Sequence, residues 1–319
     1  MYSGTIADDA VIAADRIGDY VRKTPLEYSP YFSEITGANV WLKLENLQIT
    51  GSFKLRGACN KLLSLSPEQT ANGCVTASSG NHGAAVAHAM NKLGLTGVVF
   101  VPETASSAKV DAIRRAGAQV QFFGTDGLDT EQHARQYATD NGMTYISPYN
   151  DTDVIAGQAS CGVEIASQID SVDALFVAVG GGGLIGGVAG FLKSVHPRMQ
   201  TIGCQPAASA VMAASAKAGR LLEMPSEPTL SDGTAGGIEA GAITFDLCQE
   251  LVDDYVLVSE DDIAEAMREF IDAHHMLLEG AAGVALAGLK QLGDRFRGRD
   301  VVAIVCGANI SRDVLRGVV

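Results

Sequence analysis

Two patterns of apolar and polar positions alternate along this chain. Short apolar runs are typical of buried strands, and segments whose apolar positions recur at helical spacing separate them. The predicted strands are residues 40–44, 74–77, 98–101, 119–123, 174–179, 201–204 and 301–306. The predicted helices are residues 7–21, 106–116, 129–140, 153–169, 208–218, 244–253, 261–275 and 280–291, with three more that begin near residues 52, 83 and 184. This alternation predicts an α/β fold in which helices cover both faces of parallel sheets.

The length of the chain bears on its domain organisation. At 319 residues it is too long for one compact core and suits two domains. We expect a large domain formed by residues 1–52 and 147–319, with a small domain, residues 53–146, inserted into it. Each is expected to hold an open, mainly parallel sheet. The insertion itself is not visible in the periodicity.

Composition and charge exclude some partners. Apolar residues make up 47% of the chain and charged residues 19%, which suits a globular protein. The 23 Lys and Arg residues against 37 Asp and Glu residues give a net charge of −14. A surface of this sign repels nucleic acid and anionic membranes, so neither is expected as a partner. It still allows an anionic cofactor, because glycine-rich backbone at a helix start binds phosphate through its N–H groups.

The cysteines and the N-terminus favour a reducing compartment. The six cysteines form no Cys-x-x-Cys pair, so we expect buried free thiols and no zinc or redox motif. The N-terminal residues lack a basic segment followed by an apolar core, so we expect no signal peptide and a cytoplasmic location. Residues 174–192 are uncharged over a length that could span a membrane, but their glycines favour a strand, a loop and a helix instead.

A lysine at the start of a predicted helix is the first candidate for chemistry. Ser52 is predicted to cap this helix, which places Lys54 in the first turn, where the helix dipole opposes a positive charge. If the lysine is partly buried beside Phe53, its pKa falls, as an amine nucleophile requires. A lone lysine is more often a solvated surface residue, so this interpretation needs support from the rest of the chain.

Three loops that follow predicted strands could hold one ligand, because ligands of open α/β sheets bind at the carboxyl ends of the strands. Gly180 to Gly183, with Leu184, form a helix start whose N–H groups can converge on a phosphate. The loop 78–83 offers hydroxyls, an amide and N–H groups that suit a carboxylate, and its His82 is expected to be structural and not a proton carrier. The loop 306–309 contains a thiol that by itself predicts only a small buried side chain.

The glycine loop also permits a dinucleotide fold. Gly181, Gly183 and Gly186 satisfy the Gly-x-Gly-x-x-Gly pattern, which leaves a nicotinamide-dependent dehydrogenase as an alternative. Such folds hold the ribose with an acidic residue about 20 positions further on. This chain has Gln205 there, which disfavours the alternative. A tight structural turn under a helix is the other alternative for the four glycines.

In this order, the lysine at a helix start, the serine-rich loop, the tetraglycine loop and the Cys-Gly-x-Asn sequence resemble the pyridoxal-phosphate enzymes of the tryptophan-synthase β-like group. Within that group the chain resembles the threonine/serine dehydratase and serine racemase family, from about residue 6 to residue 310. The resemblance implies the fold-type II architecture of these enzymes, pyridoxal 5'-phosphate as cofactor, a small amino acid as substrate, and a homodimer.

The resemblance also implies roles around the cofactor. Lys54 matches the Schiff-base lysine, Phe53 lies beside the cofactor ring, and Asn81 binds the ring hydroxyl. Cys306 stands where the family has a neutral partner for the pyridine nitrogen, which favours β-elimination over transamination. The residues implied for the phosphate are Gly180, Gly181, Gly182, Gly183 and Leu184.

For the reaction, the resemblance implies conversion of a β-hydroxy amino acid, with L-threonine and L-serine as first candidates, to a 2-oxo acid and ammonia. In this reaction the Lys54 amine removes the Cα proton. The residues implied for the substrate carboxylate are Ser78, Ser79, Asn81 and His82.

Other family activities stay open. Ser79 matches the serine that moves a proton on the opposite face in racemases, so a serine racemase with side elimination is one alternative. A dehydratase for a bulkier or acidic substrate, such as phenylserine or 3-hydroxyaspartate, is another. The pocket wall that selects among them is expected to draw on residues 148–151 and 235–241. A cofactor-binding protein without catalysis is disfavoured because the substrate loop is retained.

Two departures from the family pattern narrow these expectations. Metal-binding members use a glutamate where Gln205 stands and an aspartate near Val211, so no metal is expected at that position. The chain ends soon after Asn309, which leaves no room for the regulatory domain of the biosynthetic threonine dehydratases. A catabolic role is therefore expected.

Overall fold

The computed structural model describes residues 2–319 of the chain. Its strands are β1 (Leu26–Tyr28), β2 (Asn39–Leu44), β3 (Cys74–Ala77), β4 (Gly97–Val101), β5 (Gln119–Phe122), β6 (Thr144–Tyr145), β7 (Ala174–Ala178), β8 (Gln200–Pro206), β9 (Asp254–Val258) and β10 (Asp300–Val305). Its α-helices are α1 (Ile6–Ile17), α2 (Pro30–Thr36), α3 (Lys54–Ser64), α4 (Pro67–Thr70), α5 (Asn81–Leu93), α6 (Ser107–Arg115), α7 (Gly127–Asp140), α8 (Thr152–Gln168), α9 (Gly183–Val195), α10 (Val211–Ala218), α11 (Ile243–Leu251), α12 (Glu260–His274), α13 (Gly280–Leu292) and α14 (Arg312–Val318).

The strands form two sheets. The larger has the order β1-β2-β10-β7-β8-β9 and the smaller the order β5-β4-β3-β6. β1 pairs antiparallel with β2, and the other pairings between the described strands are parallel. β2 and β10 pair from Asn39 opposite Asp300 to Leu44 opposite Val305, so their carboxyl ends lie side by side. The predicted α/β fold with mainly parallel sheets is confirmed.

Both faces of each sheet are covered. Every residue of β7 is buried, and because successive side chains of a strand point to opposite faces, the larger sheet must be packed on both sides. In the smaller sheet, neighbouring residues of one strand belong to different apolar clusters. Val99 packs with the cluster that includes Leu55, whereas Phe100 packs with Ala134 and Ala138 of α7.

The apolar pattern missed three strands, β1, β6 and β9. β6 is only two residues long, and β1 and β9 are the edge strands of the larger sheet. Edge strands are half exposed, as Tyr28 and Leu257 are here, so they lack a continuous apolar run. The helix predicted to reach residue 21 ends at Ile17, and the short helices α2, α4 and α14 were not predicted.

Other expectations from the sequence can be compared with these elements. The smaller sheet uses residues 74–145, inside the range expected for the small domain, whose boundaries stay a prediction. Residues 174–192 divide into β7, the glycine turn and most of α9. No helix within residues 2–319 is long and apolar enough to cross a membrane. The six cysteines are buried and free, as expected.

Candidate active site

One cavity collects the loops that the sequence singled out. β2, β10 and β7 are neighbours in the larger sheet, so the segments that follow them leave the same edge, and the loop after β3 faces them. The cavity has a volume of about 1710 Å³. All of the predicted site residues line it: Phe53, Lys54, Ser78, Ser79, Asn81, His82, Gly180, Gly181, Gly182, Gly183, Leu184 and Cys306.

The turn before α3 is fixed by the end of β10, not by a cap. The N-cap residue of α3 is Phe53, without a side-chain bond, and the buried Ser52 hydroxyl has no hydrogen-bond partner among the described residues. The backbone of Ser52 instead bridges to Gly307, and the Phe53 N–H donates to the Cys306 carbonyl over 3.1 Å. The predicted Ser52 cap is therefore wrong, because the helix starts one residue later and sheet-like pairing holds the turn.

Lys54 begins α3 and projects into the cavity. Its Nζ donates to the Pro148 carbonyl over 2.8 Å and lies 5.3 Å from the centroid of the Phe53 ring. Burial lowers the pKa of Lys54 to about 8, against the opposing effects of Cys306 and Glu279. A substantial fraction of the amine is therefore neutral near physiological pH, as a nucleophile requires.

The glycine loop between β7 and α9 forms a cradle of backbone atoms. Gly182 has φ +84°, a conformation that favours glycine. A Cβ at Gly182 would lie 2.9 Å from Cys248 Sγ and 3.0 Å from Met212 Cε, and one at Gly181 would collide with the ring of Tyr149. Side-chain-free backbone at the start of a 13-residue helix leaves N–H groups open to an anion. This cradle fits a phosphate group.

The loop between β3 and α5 offers hydroxyls at a second helix start. Ser78 Oγ accepts from the Gly80 N–H over 3.1 Å, which shapes the turn. Ser79 lines the cavity. α5 starts at Asn81 without a side-chain cap, so its first N–H groups are available to a carboxylate.

His82 is a buried neutral imidazole. Its Nε2 lies 3.1 Å from the Ile146 carbonyl oxygen, which can only accept, so Nε2 carries the proton. Burial, with the Lys54 charge adding, lowers the pKa of His82 to about 3. The remaining ring nitrogen, Nδ1, is buried and has no hydrogen-bond partner within residues 2–319. It is an acceptor, so it cannot bind a carboxylate. Any help that His82 gives to an anion must come from its backbone N–H.

Glu279 is a site residue that the sequence did not reveal. Asn81 Nδ2 donates to both of its carboxylate oxygens, over 2.7 and 3.0 Å, and the Asn309 N–H donates to Oε2 over 3.2 Å. Burial raises the pKa of Glu279 to about 7; Asp232 adds to the shift, while the bonds from Asn81 and Asn309 oppose it. The carboxylate thus orients the amide of Asn81 inside the cavity.

The end of β10 completes this group. Cys306 is buried, and burial together with Glu279 raises the pKa of its thiol well above the usual value, so the thiol is neutral. Asn309 Nδ2 donates to Asn81 Oδ1 over 2.6 Å, so the Asn81 amide is held from both ends. A neutral hydrogen-bonding partner and an oriented amide therefore lie close to Lys54.

Both polar groups of the Gln205 side chain form hydrogen bonds with the backbone. Its Nε2 donates to the Val179 carbonyl over 2.9 Å, and its Oε1 accepts from the Ala213 N–H over 2.7 Å. The side chain is 1% exposed, so it is not presented to a ribose. In residues 2–319 no group of three or more His, Cys, Asp and Glu side chains is placed to hold a metal ion.

Comparison with known proteins agrees with this geometry. The family model described as "Pyridoxal-phosphate dependent enzyme" matches residues 17–307. A catabolic L-threonine dehydratase of Staphylococcus aureus (strain N315) is 40% identical over 95% of this chain and 88% of its own length. The solved structure of the processed form of threonine deaminase isoform 2 from Solanum lycopersicum has a TM-score of 0.94 at 35% identity, covering 99% of this chain and 92% of that one.

A second solved structure points the same way. Maize serine racemase has a TM-score of 0.92 at 30% identity, covering 98% of this chain and 95% of its own. The family match spans nearly the whole alternation of strands and helices, so the nicotinamide alternative is rejected. The chain belongs to the family of pyridoxal-phosphate dependent enzymes, and its cofactor is pyridoxal 5'-phosphate.

Proposed function

We propose that this chain is an ammonia-lyase that converts a β-hydroxy amino acid, with L-threonine and L-serine as first candidates, to a 2-oxo acid and ammonia. The observation that carries the proposal is the Lys54 amine, whose pKa burial lowers to about 8, in one cavity with the glycine cradle and the serine loop. The relatives named as threonine dehydratase and threonine deaminase support it.

The residues around the cavity fit the cofactor. Lys54 would bind its aldehyde, Gly180 to Gly183 and Leu184 its phosphate, and Asn81 its ring hydroxyl, with Phe53 against the ring. Cys306, neutral because burial raises its pKa, would face the pyridine nitrogen. When bound, the cofactor supplies the electron sink that makes the Cα proton of an amino acid acidic.

Side chains and backbone groups of the protein would bind the substrate and transfer the proton. The N–H groups at the start of α5, with Ser78 and Ser79, would hold the substrate carboxylate. Lys54 would accept the Cα proton in its neutral form. The ammonium, which is the major form below the pKa, already carries a proton and cannot accept another. The β-hydroxyl would leave as water, and a water molecule would then hydrolyse the released imino acid to the 2-oxo acid and ammonia.

Two measurements test the proposal. Purified protein incubated with L-threonine or L-serine should release 2-oxo acid and ammonia in equal amounts. Borohydride reduction of the holoenzyme followed by peptide mapping should place the reduced cofactor on Lys54. Absence of 2-oxo acid with every β-hydroxy amino acid rejects the activity, and a label on another lysine rejects the assigned roles.

A serine racemase is the second candidate function. Ser79 lines the same cavity as Lys54, and its hydroxyl makes no hydrogen bond with the described residues that would hold it away from a substrate. Maize serine racemase is a structural neighbour. Formation of D-serine from L-serine, measured in the same reaction as pyruvate, distinguishes the two: a racemase releases D-serine at a rate comparable with pyruvate.

We also propose a homodimer, which the family resemblance implies, and a cytoplasmic location, which the scattered cysteines and the N-terminal sequence imply. We propose no divalent metal at Gln205, where metal-binding members of the family have a glutamate. Light scattering tests the oligomeric state, and a mass equal to one chain would contradict it. Treatment with EDTA tests the metal, since the proposal expects unchanged activity. The Gln205 amide, occupied by two backbone groups, supports this expectation.

A further inference from the structure

The charges on the cavity wall bear on which substrates fit. Among the described residues, the cavity is lined by four cationic side chains, Lys54, Lys109, Arg115 and Arg135, and by six carboxylates. A substrate such as 3-hydroxyaspartate carries a second carboxylate on its β-carbon, and this group needs a cation that is not already neutralised. The partners of the four cations therefore decide whether such a substrate can bind.

Three of the four cations are not available. Lys54 donates to Pro148 and is assigned to the cofactor. Lys109 pairs with Asp232 over 2.6 Å. Arg135 pairs with Glu131 over 2.7 Å and with Glu239 over 2.6 Å. The fourth, Arg115, is an exposed side chain at the end of α6, where solvent competes with any ligand.

Hydrogen bonds connect the Arg135–Glu239 pair, through Tyr149, to the segment that contacts Lys54. The Glu239 N–H donates to the Tyr149 hydroxyl over 2.9 Å, and Tyr149 directly follows Pro148, which accepts from Lys54. The Arg135 guanidinium also lies 4.3 Å from the centroid of the Tyr145 ring. Arg135 is therefore our candidate for the cation that a second substrate carboxylate would use, and Glu239, 104 residues away in the chain, binds it together with Glu131.

We propose that Glu239 is a specificity-determining residue: by neutralising Arg135 it restricts the site to β-hydroxy amino acids whose β-substituent is uncharged and rejects those with a second carboxylate. The inference rests on the proposed function and narrows its substrate class. Glu131 binds the same guanidinium from within α7, over 2.7 and 3.1 Å, so Arg135 meets two carboxylates and the contact with Glu239 makes this group of charges net negative.

The test compares two substrates in one preparation of holoenzyme. For the wild type, kcat/KM for L-threonine should exceed that for L-threo-3-hydroxyaspartate at least about 100-fold, since the second carboxylate stays unpaired. In Glu239→Gln, which removes one of the two carboxylates that pair with Arg135, this ratio should fall about tenfold. Because both values come from the same folded protein, their ratio does not depend on how much of the variant folds.

Two variants separate the inference from a general effect of charge. Glu239→Gln/Arg135→Gln should return the ratio to the wild-type value, because the cation is gone. Glu34→Gln removes one negative charge from an exposed position of α2 and should leave the ratio unchanged.

The outcomes distinguish the inference from the proposed function. Conversion of 3-hydroxyaspartate by the wild type at or above the rate for L-threonine overturns the inference while the ammonia-lyase activity stands. An unchanged ratio in Glu239→Gln also overturns the role of Glu239. If none of L-threonine, L-serine and 3-hydroxyaspartate yields a 2-oxo acid, the proposed function fails and the inference fails with it.

Discussion

Two lysines lie on either side of the turn that leads into α3, and their surroundings differ. Lys43 in β2 is 0% exposed and donates to the Thr24 carbonyl, Glu164 and Gln168, over 2.8, 2.6 and 3.0 Å. Lys54 donates to one backbone carbonyl, and burial lowers its pKa to about 8. The first lysine has every partner that a buried ammonium needs, and the second does not.

The difference shows how partners decide the role of a buried charge. Glu164 also pairs with Arg56 of α3, and the Arg56 guanidinium donates to Glu45 as well. Lys43 therefore belongs to a network of paired charges that includes a residue of α3. That network fixes the helix start from one side. On the other side, burial makes the Lys54 ammonium more costly than a solvated one, which raises the share of the neutral amine.

Lys54→Ala should have the largest effect on activity. Without the amine, 2-oxo acid release from L-threonine should fall at least about 1000-fold, because both the bond to the cofactor and the acceptor of the Cα proton are lost. The midpoint temperature of thermal unfolding of the apoprotein should be unchanged or slightly raised, since a poorly partnered buried charge is removed. A variant that keeps more than a tenth of the activity would contradict the role.

Lys43→Met should show the opposite pattern. Removing the ammonium takes one donor from the Glu164 carboxylate and one from the Thr24 carbonyl, which keeps its bond from Gln168, so the free energy of unfolding should fall by about 3–4 kcal/mol. Urea denaturation measures this change. The kcat of the folded fraction should stay within about threefold of the wild type. A loss of kcat equal to that of Lys54→Ala would mean that the two lysines do not have separate roles.

Much of this site follows from local chemistry in the sequence. A lysine in a first helical turn and four consecutive glycines are unusual choices for stability, and parallel strands bring their carboxyl ends together. Lys54 and Gly180 to Gly183 therefore reach one cavity, as the pattern predicted. The expected wall segments also line it, with Tyr149 and Glu239 among their residues. The roles given to these residues stay predictions.

What the sequence could not supply depends on contacts between distant segments. Glu279 lies 198 residues from Asn81, directly before an apolar helix that carries no motif. Ser52 satisfies the local rule for a cap, but pairing with Gly307 at the end of β10 moves the helix start. The Arg135–Glu239 pair joins two segments 104 residues apart. Local patterns contain no signal for such pairings.

Glu279→Gln should change how stability depends on pH. Because the pKa of Glu279 is raised from 4.5 to about 7, the folded protein keeps a proton there that the unfolded chain releases in this interval. The group therefore stabilises the fold at acidic pH, and this contribution is lost as the pH rises through 7. Relative to the variant, the free energy of unfolding of the wild-type apoprotein should fall by on the order of 3 kcal/mol between pH 5 and pH 8.

Thermal unfolding of both apoproteins over this pH range measures the difference. Glu34→Gln, an exposed glutamate on α2, is the matched control and should follow the wild type at every pH. A constant difference between Glu279→Gln and the wild type would mean that Glu279 is already ionised at pH 5, so that it is not the desolvated carboxyl that its burial implies.

Gln205→Glu should have the smallest effect. It tests whether the conformation of the glycine loop depends on the hydrogen bonds of the Gln205 amide. The amide donates to the Val179 carbonyl, directly before Gly180, and accepts from the Ala213 N–H. An ionised glutamate keeps the second bond but cannot donate, so its oxygen opposes the Val179 carbonyl and the loop shifts. The dissociation constant of the cofactor, measured by titrating apoprotein, should rise about tenfold. Gln249→Glu on the exposed side of α11 should leave it unchanged; equal affinity in both variants would show that the glycines hold their conformation without Gln205.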